Sequence, residues 1–494
     1  MTFTSREFYR SIGLSDETVS QIQRASERSE TNTAYEGSQL RLFCITAKLS
    51  LGPEKVNIPP LNESVVHENW SQTCIVEPGC IAMPHTAGDV SKLMKMINFF
   101  NVKFAVRSGG HSPNPGWSSI SSGGVLVDMQ KMNDVHLSPD NSVAAVGPGA
   151  RWGEVIAAIS PQRVAVIGGR IPIVGVAGLL LGGGYSYLTG EFGTAADSVK
   201  NYEVLAHPLH DLFWALKGGG PNFGIVTRFD LFTVPISDVW YEIMLFTPYQ
   251  AFGVLDAFSQ WQQREDFDIK SSVTLSIGLD IITVGLLYSA PTDRPDCFEP
   301  FYSLGPVQTP VPSTNGTLAQ VYEMAYSAVS TEPMRHDYRG ASSLVDADLY
   351  KSVYSFWRAK ALAVSESTGA SQIFALQHVA ANVADFGLSQ GGNAMGIPRR
   401  AHQWWTTLVD WREARHDEIV RSVAIETSEQ WKQVGVERGS YLPFVYMNDA
   451  SRDQNPLASY GAENLDKLKA IACKYDPDQI FQRLQPGGFL LSKA

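Results

Sequence analysis

Over its first 235 residues the chain alternates short apolar runs with glycine-rich turns. Residues 89–100 (DVSKLMKMINFF) and 152–159 place apolar side chains at helical spacing, so they predict helices. Strands are predicted at residues 103–108, 124–128, 143–146, 201–206 and 224–233. This alternation of strands and helices indicates an α/β or α+β layout.

The pattern changes after residue 236. Residues 239–246 and 272–289 are rich in Val, Ile, Leu and Tyr, which indicates a broad antiparallel sheet. Residues 349–364 and 413–426 predict helices, and the proline-rich stretch 306–312 is predicted to separate two sheet segments. Near the C-terminus, residues 462–473 predict another helix.

One stretch has the length and apolarity of a membrane span. Residues 164–188 contain Arg170, Pro172 and seven glycines, which favour turns and close backbone approach over a continuous helix. We therefore expect a buried segment whose backbone faces a ligand, and no membrane partner. The N-terminal residues 1–17 lack the apolar region of a secretion signal, so cytoplasmic location is favoured over secretion, and the compartment stays unknown.

Composition excludes several classes of protein. The 494 residues carry 39 Lys and Arg against 50 Asp and Glu, a net charge of −11, so a nucleic-acid partner is not expected. The 44% of hydrophobic residues excludes a disordered chain. Five cysteines are too few for a disulfide scaffold and lack zinc-site spacing, so we expect no metal. One disulfide in the N-terminal third and five free thiols both remain open.

Glycine clusters are the strongest chemical signal. Residues 107–112 (RSGGHS) follow a predicted strand, where consecutive small residues expose backbone N–H groups to an anion such as a pyrophosphate. An ordinary turn with a surface histidine is the alternative. Further clusters occupy residues 147–149, 175–184 and 218–227, and none fits the dinucleotide or P-loop motifs. Together they indicate one extended cofactor held by a single domain.

These motifs, in this order, resemble those of the FAD-linked oxidases of the vanillyl-alcohol oxidase superfamily, in particular the berberine-bridge-enzyme-like group of fungal type. The matching segments are residues 78–81 with Pro84, 104–112, 124–128, 146–152, 174–178, 182–189, 193–199, 211–220, 222–227, 446–448, 460–461, Asn464 and 475–481. The resemblance covers the chain from about Cys44, and it is weakest in the middle.

The resemblance implies an α+β, two-lobed FAD-binding fold of the PCMH type. Residues 1–235, with a core at 74–235, would form the FAD-binding lobe. Residues 236–440 would form a substrate lobe built on an antiparallel sheet backed by helices, and residues 441–494 would return to the FAD lobe. The resemblance also implies a pairing of Cys44 with Cys80.

The resemblance also assigns site residues. His111 would bond covalently to the 8-methyl carbon of the flavin, and this bond would raise the reduction potential of the flavin. The other cofactor-binding residues would be Arg107, Ser108, Gly109, Gly110 and Ser112 at the pyrophosphate, Val174, Gly175, Gly178 and Asn448 along the flavin, and Ile225 and Val226 near the adenine. Tyr446 would be the catalytic base, and a core tyrosine on a strand is the alternative.

The sequence departs from the family at two places. Many relatives make a second flavin bond through a cysteine where this chain has Ile171, so we expect one covalent bond, through His111. The connection between residues 204 and 211 is shorter than usual by a hairpin, either through a genuine shortening or an error in exon joining. At the position where some relatives carry a glutamate or glutamine base, the chain has Thr406, and nearby Asp410 is interpreted as a solvated sheet residue.

These residues imply an FAD-dependent oxidase. The expected reaction moves a hydride from a small organic substrate, a secondary metabolite, to the flavin. Val174 resembles the corresponding residue of oxygen-using relatives, so O2 would be the acceptor and H2O2 the by-product. A carbohydrate oxidase on the same fold and a non-redox scaffold with an inactive flavin site are the alternatives.

Overall fold

The computed structural model describes residues 5–27, 38–204, 210–330 and 332–494. Three sheets organise these residues, with helices packed against them. The shortened connection that follows residue 204 lies outside the described residues, so its outcome stays open.

The first sheet carries the loop with the histidine. Its four strands lie in the order Val56–Asn57, Cys80–Ala82, Gly124–Asp128 and Lys103–Arg107, and the last three run parallel. The helices Ser5–Ser11, Asp16–Glu27, Ser38–Leu51 and Ala87–Phe100 belong to the same apolar core. Residues 108–112, which include His111, follow directly from the carboxyl end of the strand Lys103–Arg107.

The C-terminal segment returns to this sheet. Helices Ala462–Tyr475 and Ile480–Arg483 form there, and the backbone N–H of Phe104 donates to the carbonyl of Leu484 at 3.0 Å. The ring of Phe481 packs edge-on against Phe104 with centroids 5.7 Å apart. Residues near the end of the chain therefore help to fix the strand that leads into the histidine loop.

The second sheet is antiparallel. Its strands come from the part of the chain that also contains the glycine clusters at residues 147–149, 175–184 and 218–227. Its strands are Val135–Leu137, Val143–Val146, Val226–Val234 and Ala165–Val166, with Val199–Val204 also paired to Val226–Val234. Helices Trp152–Ile159, Val176–Leu181, Thr189–Phe192 and His210–Leu216 complete this part. Their apolar side chains share one core with residues 444–450.

The third sheet has eight antiparallel strands. In spatial order they are Gln308–Thr317, Asp238–Phe246, Ile282–Tyr288, Ser271–Ile277, Ser371–Val379, His402–Trp411, Arg335–Leu344 and Tyr441–Leu442. Helices Ala251–Gln262, Ala347–Thr368 and Asp417–Arg438 share a core with one face, through rings such as Trp357, Trp405 and Trp431. Smaller helices occupy Glu63–Val66, Glu299–Tyr302, Leu318–Ser327 and Asn382–Ser389.

Period-two alternation assigns the two faces of this sheet. In Ser371–Val379, Phe374 and Leu376 belong to the helix-side core, whereas Ile373, Ala375 and Gln377 line a cavity on the other side. The predicted antiparallel sheet backed by helices is therefore confirmed.

Most predicted elements are confirmed within a few residues, and one prediction is wrong. The proline-rich stretch lies partly within the strand Gln308–Thr317 and does not separate strands. That strand is at the edge of its sheet, where a proline without an N–H is tolerated. Residues 164–188 form a short strand, turns and a six-residue helix. Within the described ranges, no helix has the length and apolarity needed to span a membrane.

Two buried histidines make the stability of the fold depend on pH. Trp404 Nε1 donates to Nε2 of His402 at 3.1 Å, so that nitrogen is an acceptor and the ring is neutral. Burial lowers the pKa of His402 to about 4 and that of His378 to about 3. In the unfolded chain both rings would titrate near pH 6.5. The stabilisation is therefore complete above that pH and is lost as the pH falls.

We expect these two rings together to lower the free energy of unfolding by about 2.5 kcal/mol per pH unit near pH 5, because the unfolded chain then binds roughly one more proton at each of them. Urea denaturation between pH 7 and pH 5 measures this slope. The variant His402→Gln should lower the slope by about half of that amount, since one of the two rings is removed. An unchanged slope in that variant would contradict the assignment.

Candidate active site

The histidine loop packs directly on the second glycine cluster. A Cβ atom on Gly109 would lie 2.5 Å from the backbone nitrogen of Gly175, and one on Gly175 would lie 2.4 Å from that of Gly109. Arg151 fastens the two segments, because its Nη1 donates to the carbonyls of Gly109 at 2.9 Å and Ile173 at 2.7 Å. Only glycine allows this approach, so the contact explains why both clusters need it.

A cavity of about 480 Å³ opens beside this contact, a size within the usual range for small-molecule sites. Twelve of the thirteen sequence-predicted site residues line it. They are Ser108, Gly109, Gly110, His111, Ser112, Val174, Gly175, Gly178, Ile225, Val226, Tyr446 and Asn448. The three glycine clusters at residues 107–112, 175–184 and 218–227 therefore meet around one cavity, as an extended cofactor requires.

Arg107 is the predicted site residue that does not line the cavity. Its side chain is 1% exposed, and its guanidinium forms an ion pair with Asp128 at 2.7 Å. It also donates to Asn69 Oδ1 at 2.8 Å and to the carbonyl of Val65 at 2.7 Å. These contacts commit Arg107 to holding the loop from behind, because the last residue of the strand points into the core.

His111 belongs to a stack of three rings. Its ring lies parallel to Trp70 with centroids 4.1 Å apart, and the other face of Trp70 lies 3.5 Å from His336. Nδ1 of His336 is 2.6 Å from Oδ1 of Asp410. Asp410 is therefore the partner of a histidine, and the interpretation as a solvated sheet residue needs correcting. Sequence reasoning also missed Trp70 and His336, for which no motif gave a signal.

The imidazole of His111 is neutral. Burial, followed by the charges of His336 and Arg151, lowers its pKa to about 3. A neutral ring keeps a lone pair on one nitrogen, which bond formation to carbon requires. The environment of His111 is thus suited to a nucleophile.

Tyr446 lies against the cavity from the C-terminal segment. Its ring stacks on Trp404 at 4.4 Å, and its hydroxyl accepts a hydrogen bond from Asn448 Nδ2 at 3.0 Å. Asn448 also donates to the carbonyl of Leu179 at 2.9 Å, which ties this segment to the helix Val176–Leu181. Burial, followed by the charge of Asp449, holds the pKa of Tyr446 well above its usual range. The phenol is therefore protonated at neutral pH.

Sequence analysis missed a polar group in the same cavity. Arg170 donates to Gln377 Oε1 at 2.5 Å, and Gln377 Nε2 donates to Asp449 Oδ2 at 2.5 Å. The guanidinium also lies over the ring of Tyr185, 4.8 Å from its centroid. A glutamine on an otherwise apolar strand face was the one available signal.

The cysteines lie elsewhere. Ile171 lines the cavity, and none of the five cysteines, all within the described residues, does. Cys44 and Cys80 are neighbouring buried thiols, and the contact with Cys44, together with burial, raises the pKa of Cys80 well above its usual range. Their pairing as a disulfide stays a prediction.

Comparison with known proteins decides the family. The model of an FAD binding domain matches residues 78–208. An FAD-dependent monooxygenase of Arthrobotrys oligospora is 35% identical over 464 residues, which cover 92% of this chain and 90% of that protein. The chain belongs to the FAD-dependent oxidoreductases that carry this FAD binding domain.

Two further proteins are similar to this chain. The bifunctional solanapyrone synthase of Alternaria solani is 31% identical, with 85% of this chain and 83% of that protein covered. The structure of xylooligosaccharide oxidase from Myceliophthora thermophila, in complex with xylobiose, has a TM-score of 0.73 at 19% identity and covers 87% of this chain and 96% of that one. The second likeness shows the fold alone.

FAD is the cofactor of this FAD-linked oxidoreductase, and the cavity fits it. A Cβ on Gly178 would meet nothing within 4 Å, so the backbone there is open to a flat ligand. Oδ1 of Asn114, also in the lining, is buried without a partner among the described residues. The glycine segments would hold the cofactor, with His111 beside it. When bound, the flavin accepts two electrons as a hydride.

Proposed function

We propose that the protein is an FAD-dependent oxidase that removes a hydride from an alcohol carbon of a small, largely apolar secondary metabolite. The neutral His111 on a glycine-lined cavity carries this proposal, because it suits a single covalent flavin bond. Thr406, Leu408, Ile373 and Ala375 line the sheet side of the cavity and favour a compact apolar substrate. The name of one relative, a solanapyrone synthase, supports this substrate class, whereas the name of the other, a monooxygenase, concerns the use of oxygen.

Two related parts of the proposal concern roles within the chain. Tyr446 and Asn448 both line the cavity. Because the raised pKa of Tyr446 keeps its phenol protonated, we assign both residues to holding substrate and flavin, in place of the predicted role of Tyr446 as the base. The division into residues 1–235, 236–440 and 441–494 is supported by the eight-stranded sheet, because seven of its strands lie within residues 236–440 and the short strand Tyr441–Leu442 follows directly.

The carbohydrate alternative has less support. Sugar rings stack on exposed aromatic faces, but eight tryptophans are among the largest fully buried side chains: Trp152, Trp240, Trp261, Trp357, Trp404, Trp405, Trp411 and Trp431. Seven of these eight lie in the segment 236–440 that would carry a substrate site, so they are unavailable for stacking.

Purified protein tests the proposal. We expect a yellow protein whose colour stays with the acid-precipitated chain, is bleached anaerobically by candidate alcohols, and returns with one H2O2 for each carbonyl formed. Incorporation of ¹⁸O from ¹⁸O2 into the product would instead show a monooxygenase. A folded, colourless protein would support the scaffold alternative, and bleaching by sugars alone would support the carbohydrate oxidase.

Val174 is the residue at which oxygen access can be tested. It lines the cavity, and its backbone is fixed by bonds to Trp152 and Ile171 at 3.1 Å each, so its side chain has a set position. We expect Val174→Leu to slow reoxidation of the reduced flavin by O2, because added volume obstructs a diatomic ligand, with anaerobic reduction little changed. Stopped-flow absorbance measures both steps, with Val174→Ala as the matched control. Equal reoxidation rates in all three proteins would contradict this role.

A further inference from the structure

Oxidation of an alcohol requires a group that accepts the hydroxyl proton. Among the residues that line the cavity, all of them in described segments, Asp449 is the single carboxyl group and Arg170 the single permanent cation. The remaining titratable side chains there are His111 and the tyrosines Tyr185, Tyr338 and Tyr446. Only these few side chains at the cavity are therefore candidates for the proton acceptor.

The position of Asp449 is fixed from two sides. Its backbone N–H donates to the carbonyl of Tyr446 at 3.2 Å in the turn Met447–Asp449, and one carboxyl oxygen accepts from Gln377 at 2.5 Å. Gln377 in turn lies on the central strand Ser371–Val379, directly opposite Trp404 in the register. A rigid strand thus sets where the carboxyl group stands.

Arg170 reaches this carboxylate only through the amide. Its guanidinium donates to Gln377 and lies over Tyr185, and it forms no ion pair with a carboxylate of the described residues. A direct Arg–Asp ion pair would hold the carboxylate in its charged form and leave it a weak base. Separation by Gln377 keeps the carboxylate oriented while leaving it able to take a proton.

The other candidates are less suited to this role. Burial holds the pKa of Tyr446 and Tyr338 well above their usual range, and the charge of Asp449 raises both further. Burial raises the pKa of Tyr185 to about 12. Asp410 is paired with His336 and does not line the cavity, and Thr406 has no basic group.

Asp449 differs from these groups in its protonation. Burial raises its pKa to about 6, while the bond from Gln377 and the charge of Arg170 act to lower it. It is therefore ionised at neutral pH and close enough to pH 7 to exchange a proton readily.

We propose that Asp449 is the catalytic base of this site, with Gln377 and Arg170 as its positioning residues. The inference rests on the proposed oxidase function. The substrate O–H bond breaks and its proton goes to Asp449, while the O–H electron pair forms the second C–O bond. A bound flavin would supply the two-electron acceptor for the hydride that leaves the carbon, and O2 would be the final oxidant, reduced to H2O2.

The first test needs no substrate. Titration of the visible absorbance of the flavin-loaded protein from pH 4.5 to pH 8 should show an inflection near pH 6. Asp449→Asn should abolish this inflection. Gln377→Leu should move it to higher pH, because the hydrogen bond from the side-chain amide, which favours the charged form of Asp449, is lost. Asp453→Asn, a nearby carboxyl paired with Arg339 outside the cavity, should leave it unchanged. An inflection that survives in Asp449→Asn would overturn the proposal.

The second test uses an alcohol that bleaches the wild-type flavin anaerobically. Asp449→Asn should lower the limiting rate of reduction by about 10²–10⁴-fold, the usual contribution of a general base, with little change in substrate affinity. If that variant fails to load flavin, Gln377→Leu serves instead, and its pH–rate profile should shift to higher pH. A wild-type rate in Asp449→Asn would overturn the role of Asp449 and leave the oxidase function standing, whereas a flavin that no alcohol reduces would remove both.

Discussion

His111→Ala is expected to release all of its flavin when the protein is precipitated with acid, whereas the wild-type precipitate stays yellow. The reason is chemical and local. Tethering requires a neutral ring nitrogen at the cavity. Among the described residues, His111, with its pKa lowered to about 3, is the one histidine that lines it. No cysteine lines the cavity to provide a second bond, and Ile171 occupies the position at which the family resemblance implies one. Loss of the tether should therefore be complete.

The same variant should lower the reduction potential of any flavin that remains bound noncovalently, since a histidyl substituent withdraws electron density. Absorbance of the precipitate and supernatant, mass spectrometry of the denatured chain, and a dye-coupled redox titration provide three independent measurements. His136→Ala, which removes an exposed histidine on the strand Val135–Leu137, is the control. A mass increase equal to FAD that persists in His111→Ala would refute the assignment.

The ring stack places a second requirement on this position. Trp70 lies between His111 and His336, so the plane of His111 is set by a residue 41 positions earlier in the chain. The sequence motif could predict the histidine, because the glycines that surround it are local. It could not predict the stack, because Trp70 and His336 are brought there by the packing of separate elements.

The same distinction explains the rest of the site. The glycine clusters could be predicted to meet, since each is a short contiguous motif and all must contact one cofactor. Gln377 and Asp449 are 72 positions apart, and their contact depends on the register of the eight-stranded sheet. A shift of one residue would point Gln377 into the helix-side core. Hydrophobic patterning gave no strand prediction for residues 371–379, so the polar contact was not foreseen.

For Arg107 the motif was recognised, but the surroundings predicted for its side chain differ from those in the structure. The motif places Arg107 beside the predicted phosphate loop, yet it is the last residue of a strand whose alternation turns its side chain inward. Its guanidinium pairs with Asp128, whose side chain is 2% exposed. We therefore expect Arg107→Met to act on stability and only indirectly on the cofactor.

Arg107→Met should lower the free energy of unfolding by about 3–5 kcal/mol, because it leaves the charge of Asp128 buried without its partner. Asn69 Oδ1 and the carbonyl of Val65 would lose their donors as well. Chemical denaturation of the flavin-free proteins, so that ligand binding does not add to stability, measures the loss. If Arg107 acted chiefly on a phosphate, the flavin-free variant would be as stable as the wild type.

A double variant separates the cost of an unpaired charge from the loss of packing. Arg107→Met with Asp128→Asn removes both charges, so it should be more stable than Arg107→Met alone even though it carries one more substitution. Arg107→Lys keeps the ion pair but cannot reach Asn69, Val65 and Asp128 together, and it should fall between the wild type and Arg107→Met. That order of stabilities follows only if the buried pair holds the strand from which the His111 loop emerges, and a double variant less stable than Arg107→Met would contradict it.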